Sequence, residues 1–407
     1  MVLHLPLFCV CYDYNFRKGK ANRFVFVAEH MNYLALKDVC CINMGQSPDS
    51  KSYNDSKEGI PFFQGNADFG ERYPITRVWC NAPTKIAEKD DILISVRAPI
   101  GALNYAKETC CIGRGLAAIT PNKTKVSTEF IFWLLKEKNN ELNRLGTGST
   151  FKAISKKILE ETKVPDISLE KQTAYSNILE KLYSIITHLR TQLEKLDLLV
   201  KARFVEMFGD VINNTKRWKI YLFSEITISR LGKMLDKKSQ TGKSKLPYLA
   251  NFNVQWFQFK LDNLNMMDFN EKEQIEFSLE DDDLLVCEGG EIGRCAIWHN
   301  EITPCYFQKA LHRVRCNKSI IIPIYLAWWF KFNCDNNGFS EIEGAKATIA
   351  HLPGAKLKKL PIAVPPLTLQ NQFADFVKQV DQSKSILQQE LDKAQMLFDS
   401  LMQEYFG

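Results

Sequence analysis

The sequence predicts a mixed α/β (α+β) protein built from two globular domains and two long helices, the helices pairing as an antiparallel coiled coil. Three observations carry this: a D-D-[IL]-L strand opening that occurs twice, flanking blocks that recur in the same order, and two heptad stripes of similar length. The 407 residues, 45% hydrophobic and 25% charged, suffice for two ordinary cores and exclude a disordered or fibrous chain. A net charge of +6 suits a polyanionic partner but is too common to identify one.

The first thirty residues fit poorly with the rest. Residues 5 to 12 are apolar and cysteine-bearing yet lack the basic start and cleavage site of a signal peptide, and Met31 opens a cleaner pattern. The natural start is therefore expected at Met31, with 1–30 as an N-terminal extension. The twelve cysteines never form a C-x-x-C pair, so reduced, partly buried thiols are expected rather than a zinc site. No apolar run approaches the ~20 residues that span a bilayer, which implies a cytoplasmic protein with no membrane partner.

The repeat fixes the architecture. Ile60-Pro61-Phe62-Phe63 matches Leu246-Pro247-Tyr248-Leu249 at an offset of 186. Asp90-Asp91-Ile92-Leu93-Ile94 with Ile100-Gly101 matches Asp282-Asp283-Leu284-Leu285-Val286 with Ile292-Gly293 at 192, each reading as a turn into a buried strand. Trp133-Leu134-Leu135-Lys136 matches Trp328-Trp329-Phe330-Lys331 at 195. These aromatics fall in helices expected over 128–138 and 323–332, where their spacing reads as core packing rather than base stacking. Val164-Pro165 with Leu169 and Gln172 matches Val364-Pro365 with Leu369 and Gln372, and each copy runs into a helix that ends in Phe-Gly, at Phe208-Gly209 and Phe406-Gly407. The slow drift in offset is what small loop insertions in a duplicated domain produce.

In the first helix Leu179, Leu182, Ile186, Leu189, Leu193, Leu196, Val200 and Met207 follow three-four spacing, interrupted only by Arg203. An offset of 198 puts Val377, Val380, Leu387, Leu391, Ala394, Phe398, Leu401 and Tyr405 on the same seam, interrupted by Lys384. Pro165 and Pro365-Pro366 stop the preceding strands, and Ser168 or Thr368 is placed to cap the helix start. A helix of ~40 residues is ~60 Å long and cannot bury such a stripe alone, so the two copies pair within the chain. Intermolecular pairing is the competing solution.

The loops differ more between the copies than the scaffold does: 46–57 faces 233–245, and 101–114 faces 293–313. In and alongside them stand Gln46, Ser47, Asn66, Arg97 and Arg114 in the first copy and Lys233, Asn251, Asn253, Gln255 and Arg294 in the second. Amides and cations of this kind can pair with base edges and phosphates. The loop from Gly146 to Lys152, with Thr147, Ser149 and Lys152, and its counterpart at 344–348 with Lys346, offer backbone N–H groups beside a lysine, suited to phosphate contact. Solvated surface and plain turns are the competing readings.

Residues 31–407 resemble the specificity (S) subunits of type I restriction-modification systems, through the duplicated D-D-[IL]-L strand, the Gly-Thr-Gly-Ser-Thr loop at 146–150, and the V-P-P-L-x-L-x-x-Q string at 364–372. The resemblance implies two target recognition domains, 31–165 and 213–362, each reading half of a bipartite DNA site. It implies helical spacers at 166–212 and 363–407 that dock two methyltransferase subunits, with restriction/translocase subunits joining the assembly. S-adenosylmethionine, ATP and Mg2+ would serve those partners, with no cofactor held by this chain. The first copy departs from the pattern, with Asp166 where a second proline is usual.

Enzyme readings fail on their own terms. Gly113-Arg114-Gly115-Leu116-Ala117-Ala118 fits G-x-G-x-x-A but opens no helix, and Thr241-Gly242-Lys243-Ser244 ends like a P-loop but has Lys237 where its first glycine belongs. Glu161, Lys163 and Asp166 hold the letters of a metal-dependent nuclease in reverse order, and the six histidines are scattered. The expectation is a non-catalytic DNA-recognition subunit without a metal site. A coiled-coil assembly scaffold that does not touch DNA is the alternative.

Overall fold

The computed structural model describes residues 32–148, 152–235, 242–340 and 351–407. Expectations for residues 1–30, Ser149 and Lys346 lie outside the described residues. The chain divides into two compact units. The first takes the described residues up to Leu182 together with Leu397–Gly407; the second is Tyr183–Met396.

Unit 1 is organised on an antiparallel sheet of β1 (Cys40–Met44), β2 (Ile92–Ser95), β3 (Leu103–Tyr105) and β4 (Leu116–Pro121), in the order β1-β4-β2-β3. β2 is buried at every position, its Ile-Leu-Ile run followed by the buried Ser95. Asp90 turns the chain into it at φ +69°, and the buried Asp91 carboxylate accepts from Glu88 N at 2.9 Å, closing the turn. Helix α1 (Thr128–Glu137) begins where Ser127 Oγ accepts from Phe130 N at 3.1 Å. Trp133 is fully buried, so the aromatics of this helix are core.

The first long helix, α2, spans Leu169–Phe208 and begins in unit 1. Ser168 Oγ accepts from Lys171 N at 3.4 Å at its start. Unit 1 is completed by the last residues of the chain: Phe406 lies 5.1 Å from Phe130, Phe398 5.5 Å from Trp133, and Tyr405 stacks on Tyr175 at 3.7 Å.

Unit 2 repeats the plan. Its sheet is β5 (Thr227–Leu231), β6 (Leu284–Cys287), β7 (Cys295–Ile297) and β8 (Leu311–Cys316), in the order β5-β8-β6-β7, again antiparallel. Asp282 has φ +70°, and Asp283 accepts from Glu280 N at 2.8 Å, mirroring Asp90 and Asp91. Helix α3 (Pro323–Asp335) carries proline in its first turn, where no N–H is needed. The second long helix, α4, spans Leu367–Phe406, and like α2 it has 40 residues. Within unit 2 Phe208 packs 4.9 Å from Tyr325 and 5.3 Å from Phe373. Phe204 meets Phe373, Asp197 pairs with Lys384, and Arg190 bonds Gln395, so the two helices run antiparallel. The expected seam residues are all buried or half-buried, Leu182, Ile186, Leu189, Leu193 and Leu196 on one helix and Leu387, Leu391, Phe398 and Leu401 on the other.

Two details correct the sequence reading. Gln172 is buried, with Oε1 accepting from Ser127 N at 2.9 Å and Nε2 donating to Lys125 O and Ile167 O. The residue that repeats this is Gln370, not the exposed Gln372: its Oε1 accepts from Ile322 N at 3.0 Å, and its Nε2 donates to Ile320 O and Pro365 O. The helices align at 198, where the string match had slipped two residues to 200. For the same reason Thr368 lies inside the first turn of α4 and does not cap it.

Candidate nucleic-acid interface

In both units a parallel strand pair leads to the loops of interest. Ile60–Phe63 runs beside Cys110–Ile112, and Lys245–Leu249 beside Tyr306–Phe307. In unit 1 the loops beyond this pair close around a hollow of about 220 Å³ lined by Gln64, Asn66, Arg97, Arg114 and the backbone of Gly65 and Gly115. Ser47 joins it: its Oγ lies 3.1 Å from Gln64 Oε1 and accepts from Arg114 N at 3.3 Å. Arg97 pairs by backbone with Ala153, which also pairs with Thr147, and Ala98 N donates to Lys152 O at 3.1 Å. Gln46 N bonds Ile112 O at 3.0 Å, leaving its side chain exposed at the rim.

Seven separate sequence candidates, Gln46, Ser47, Asn66, Arg97, Arg114, Thr147 and Lys152, thus sit on adjoining loops. Arg97, Arg114 and Lys152 are exposed, and none has a described carboxylate within 4.0 Å. Unpaired cations beside exposed amides are the chemistry that binds phosphates while reading base edges.

Unit 2 uses the same positions differently. Asn251 opens the short turn that Asn66 opens in unit 1, but its side chain is engaged, donating to Gly289 O at 2.7 Å and accepting from Arg294 Nη2 at 2.7 Å. Arg294 also pairs with Glu291 at 3.4 Å. Two candidates lie inside the unit. Asn253 is 1% exposed and closes its turn by accepting from Ala250 N at 2.8 Å, as Asp68 closes the equivalent turn. Lys233 is buried against Phe269, with Nζ 2.6 Å from both Asp268 O and Glu273 Oε2. Burial pushes the Glu273 carboxyl up, but its hydrogen bonds from Lys233 and Asn270 N outweigh this and hold it below its ordinary range. Both side chains serve the fold: Asn253 bonds backbone three to seven residues away, at Ala250 and Lys260, whereas the partners of Lys233 lie 35 and 40 residues along the chain, where the sequence gives no sign of them. The Gln255 amide donates to Phe252 O at 3.0 Å.

Two residues escaped the sequence reading. Gln64 is exposed at the mouth of the unit 1 hollow. Lys309 is exposed and is the counterpart of Arg114: Gly113 and Gln308 each donate to the strand end alongside, Phe63 O at 2.8 Å and Leu249 O at 3.0 Å, and the cation follows in each copy. The expected loop 293–313 runs too far, since Arg313 lies within β8 with Nη1 donating to Ser278 O at 2.6 Å. Counting from the strand ends would have found Lys309.

The other chemistry stays inert. Gly242 N and Ser244 N, in the P-loop look-alike, donate to the Asp268 carboxylate rather than to an open cradle. Gly113 to Gly115 form a turn between strands. Burial pushes the Cys40 and Cys110 thiols up to about 12, which favours the protonated thiol over the thiolate. Asp281, Asp282 and His299 come close enough to share an ion, but they lie at the surface and Asp282 bonds Lys318 at 2.5 Å. Among the described residues no helix is long and apolar enough to cross a membrane.

Two copies of one mixed α/β unit, each with its own set of divergent polar loops and each carrying a long helix, define a tandem-duplicated specificity architecture. The family model for the type I restriction modification DNA specificity domain matches residues 29–197 and again 215–396. The chain belongs to that family. It is 46% identical over 156 residues to the MjaX specificity subunit of a type I restriction enzyme of Methanocaldococcus jannaschii, covering 38% of this chain and 37% of that one. It is 27% identical over 186 residues to the MjaIX specificity subunit of the same organism, covering 43% of each. The matched segments thus span about two fifths of these relatives. The solved type I restriction-modification S subunit of M. genitalium superposes with a TM-score of 0.59 over 94% of this chain and 98% of its own, at 15% identity, a likeness of fold.

Proposed function

We propose that this chain is the sequence-specific DNA-recognition subunit of a type I restriction-modification complex, reading one half of a bipartite site with each unit. The observation that carries this is the exposed face of unit 1, where Arg97, Arg114 and Lys152 stand free of described carboxylates beside Ser47, Gln64 and Asn66. Cations on adjoining loops hold the phosphate backbone in register, and the amides between them face base edges. The loops at the same fold positions in unit 2 carry Asn251, Lys309 and Arg294, a different set suited to a different half-site. The paired helices α2 and α4 set the interval between half-sites and dock two methyltransferase subunits, with restriction/translocase subunits joining them in the cytoplasm. The partners supply catalysis with S-adenosylmethionine, ATP and Mg2+, and this chain supplies none.

The test is DNA binding by the full chain with its methyltransferase subunit across a salt series. Affinity should fall steeply, with a log–log slope of about −0.9 per phosphate contacted. Replacing residues 31–165 by a relative's equivalent segment should change one half-site and leave the other. Salt-insensitive binding, or no binding, would favour the assembly-scaffold reading.

A further inference from the structure

The parallel strand pairs allow a residue-by-residue comparison of the two recognition faces. Because Gly113 N bonds Phe63 O and Gln308 N bonds Leu249 O, the next residues form matched pairs: Gln64 lies beside Gly113 in unit 1, and Ala250 beside Gln308 in unit 2. The glutamine and the small residue have exchanged strands.

Space explains why unit 1 keeps only one of them. A Cβ on Gly113 would sit 2.6 Å from Gln64 Oε1 and 3.0 Å from its Cα, and one on Gly115 would sit 2.5 Å from Gln64 O. Gly113 is not left-handed, so crowding alone bars a side chain there. In unit 1 Gln64 takes the space beside Gly113, and in unit 2 the same residue type stands on the opposite strand, as Gln308 beside Ala250.

Gln64 is set for recognition. Its backbone N donates to Asp68 Oδ2 at 2.8 Å, and its amide lies 2.9 to 3.1 Å from the Ser47 hydroxyl, which Arg114 N holds in turn. Arg97 and Arg114 flank it in the same hollow. A fixed amide between two cations matches the bidentate pairing of glutamine with adenine N6 and N7 while the guanidiniums hold phosphates.

We propose that Gln64 in the first unit and Gln308 in the second are the adenine-reading side chains of the two half-sites, one recognition element delivered from alternate strands. This rests on the DNA-reading function above. The full chain, assembled with its methyltransferase subunit, is used to select from a library of randomised DNA duplexes, and the retained duplexes are sequenced. The wild type should yield a split motif. Gln64→Ala should lose preference at one A·T pair of one half-site by roughly ten- to a hundredfold, leaving the other half intact. Gln308→Ala should do the reverse. Gln64→Glu, which accepts but cannot donate, should move the preference at that pair toward cytosine. A wild-type motif from both Gln64 variants, or an equal loss in both halves, overturns the proposal while leaving the DNA-reading function standing. A wild type that selects no motif overturns both.

Discussion

Gln370→Ala tests the register of the whole duplication. The Gln370 side chain is fully buried and makes three hydrogen bonds, to Ile322 N at 3.0 Å, Ile320 O at 3.0 Å and Pro365 O at 2.7 Å. It ties the first turn of α4 to the start of α3. Truncation leaves one buried donor and two carbonyls short of a partner, and each such group costs about 1–3 kcal/mol. With partial relaxation the expected loss is about 3 kcal/mol, a large fraction of an ordinary domain's stability. Gln172→Ala should cost unit 1 a similar amount through Ser127 N, Lys125 O and Ile167 O. Gln372→Ala, at an exposed position, should stay within about 0.5 kcal/mol. Urea unfolding followed by tryptophan fluorescence reads all three, since Trp328 and Trp329 lie on α3 and Trp133 on α1. A loss below about 1 kcal/mol for Gln370→Ala, or an equal effect at Gln372, would refute the argument.

Three further outcomes follow from named contacts. Phe208→Ala and Phe406→Ala each empty a fully packed aromatic site, at a cost of about 3–5 kcal/mol. Hydrogen exchange should localise the first to Pro323–Asp335 and the second to Thr128–Glu137, and the opposite assignment would contradict the packing. Arg97→Ala, Arg114→Ala and Lys152→Ala should each reduce the salt slope of DNA binding by about 0.9 without shifting the selected motif; an unchanged slope removes that residue from the phosphate contacts. His312 is buried, with Nε2 2.9 Å from Leu352 O, and burial holds its pKa below the ordinary value despite that bond and nearby Glu288, with Lys358 adding to the depression. A base depressed in the fold binds fewer protons there than in the unfolded chain. Its contribution is therefore full above about pH 6.5 and is lost as pH falls toward the folded pKa. His312→Gln should flatten the stability of unit 2 between pH 7.5 and 5, and a mutant as pH-sensitive as the wild type would contradict this.

The scaffold was legible because its signals are periodic or ordered. The heptad stripe needs only apolar residues at fixed spacing, and Leu182 to Leu196 and Leu387 to Leu401 do line the helix seam. The strand openings at Asp90-Asp91 and Asp282-Asp283 encode a left-handed turn followed by a buried carboxylate, and both recur in three dimensions. What string matching lost was register where insertions intervene. It aligns Gln172 with Gln372, rewarding identical letters over equal distance from a helix end, and it extends the loop facing 101–114 into β8 at Arg313. Burial of loop polar groups was equally hidden. Nothing near Lys233 in the sequence announces Glu273 and Asp268 as its partners, and a cation in a lysine-rich loop reads as exposed until they are placed.

The two faces are unlike in how their charges are disposed, and this bears on how each achieves selectivity. In unit 1 Arg97, Arg114 and Lys152 have no described carboxylate within 4.0 Å, so on the proposed function approach to a polyanion would require no rearrangement of a described ion pair. In unit 2 Arg294 is held by Glu291 and by the Asn251 carbonyls, Trp256 Nε1 donates to Glu291 Oε1 at 2.6 Å, and Glu288 is half-exposed nearby. On the proposed function, two carboxylates beside this face would repel phosphate, and a guanidinium already engaged by Glu291 would gain less from it. Lys309 remains as an exposed cation there. On the proposed function, unit 2 would therefore depend more on shape and direct amide contact, and unit 1 more on charge. Glu291→Gln should raise DNA affinity while narrowing the difference between preferred and disfavoured sequences at the second half-site, measured as the ratio of their dissociation constants at fixed salt. A fall in affinity would mean that Glu291 orders Arg294 for binding rather than restraining it.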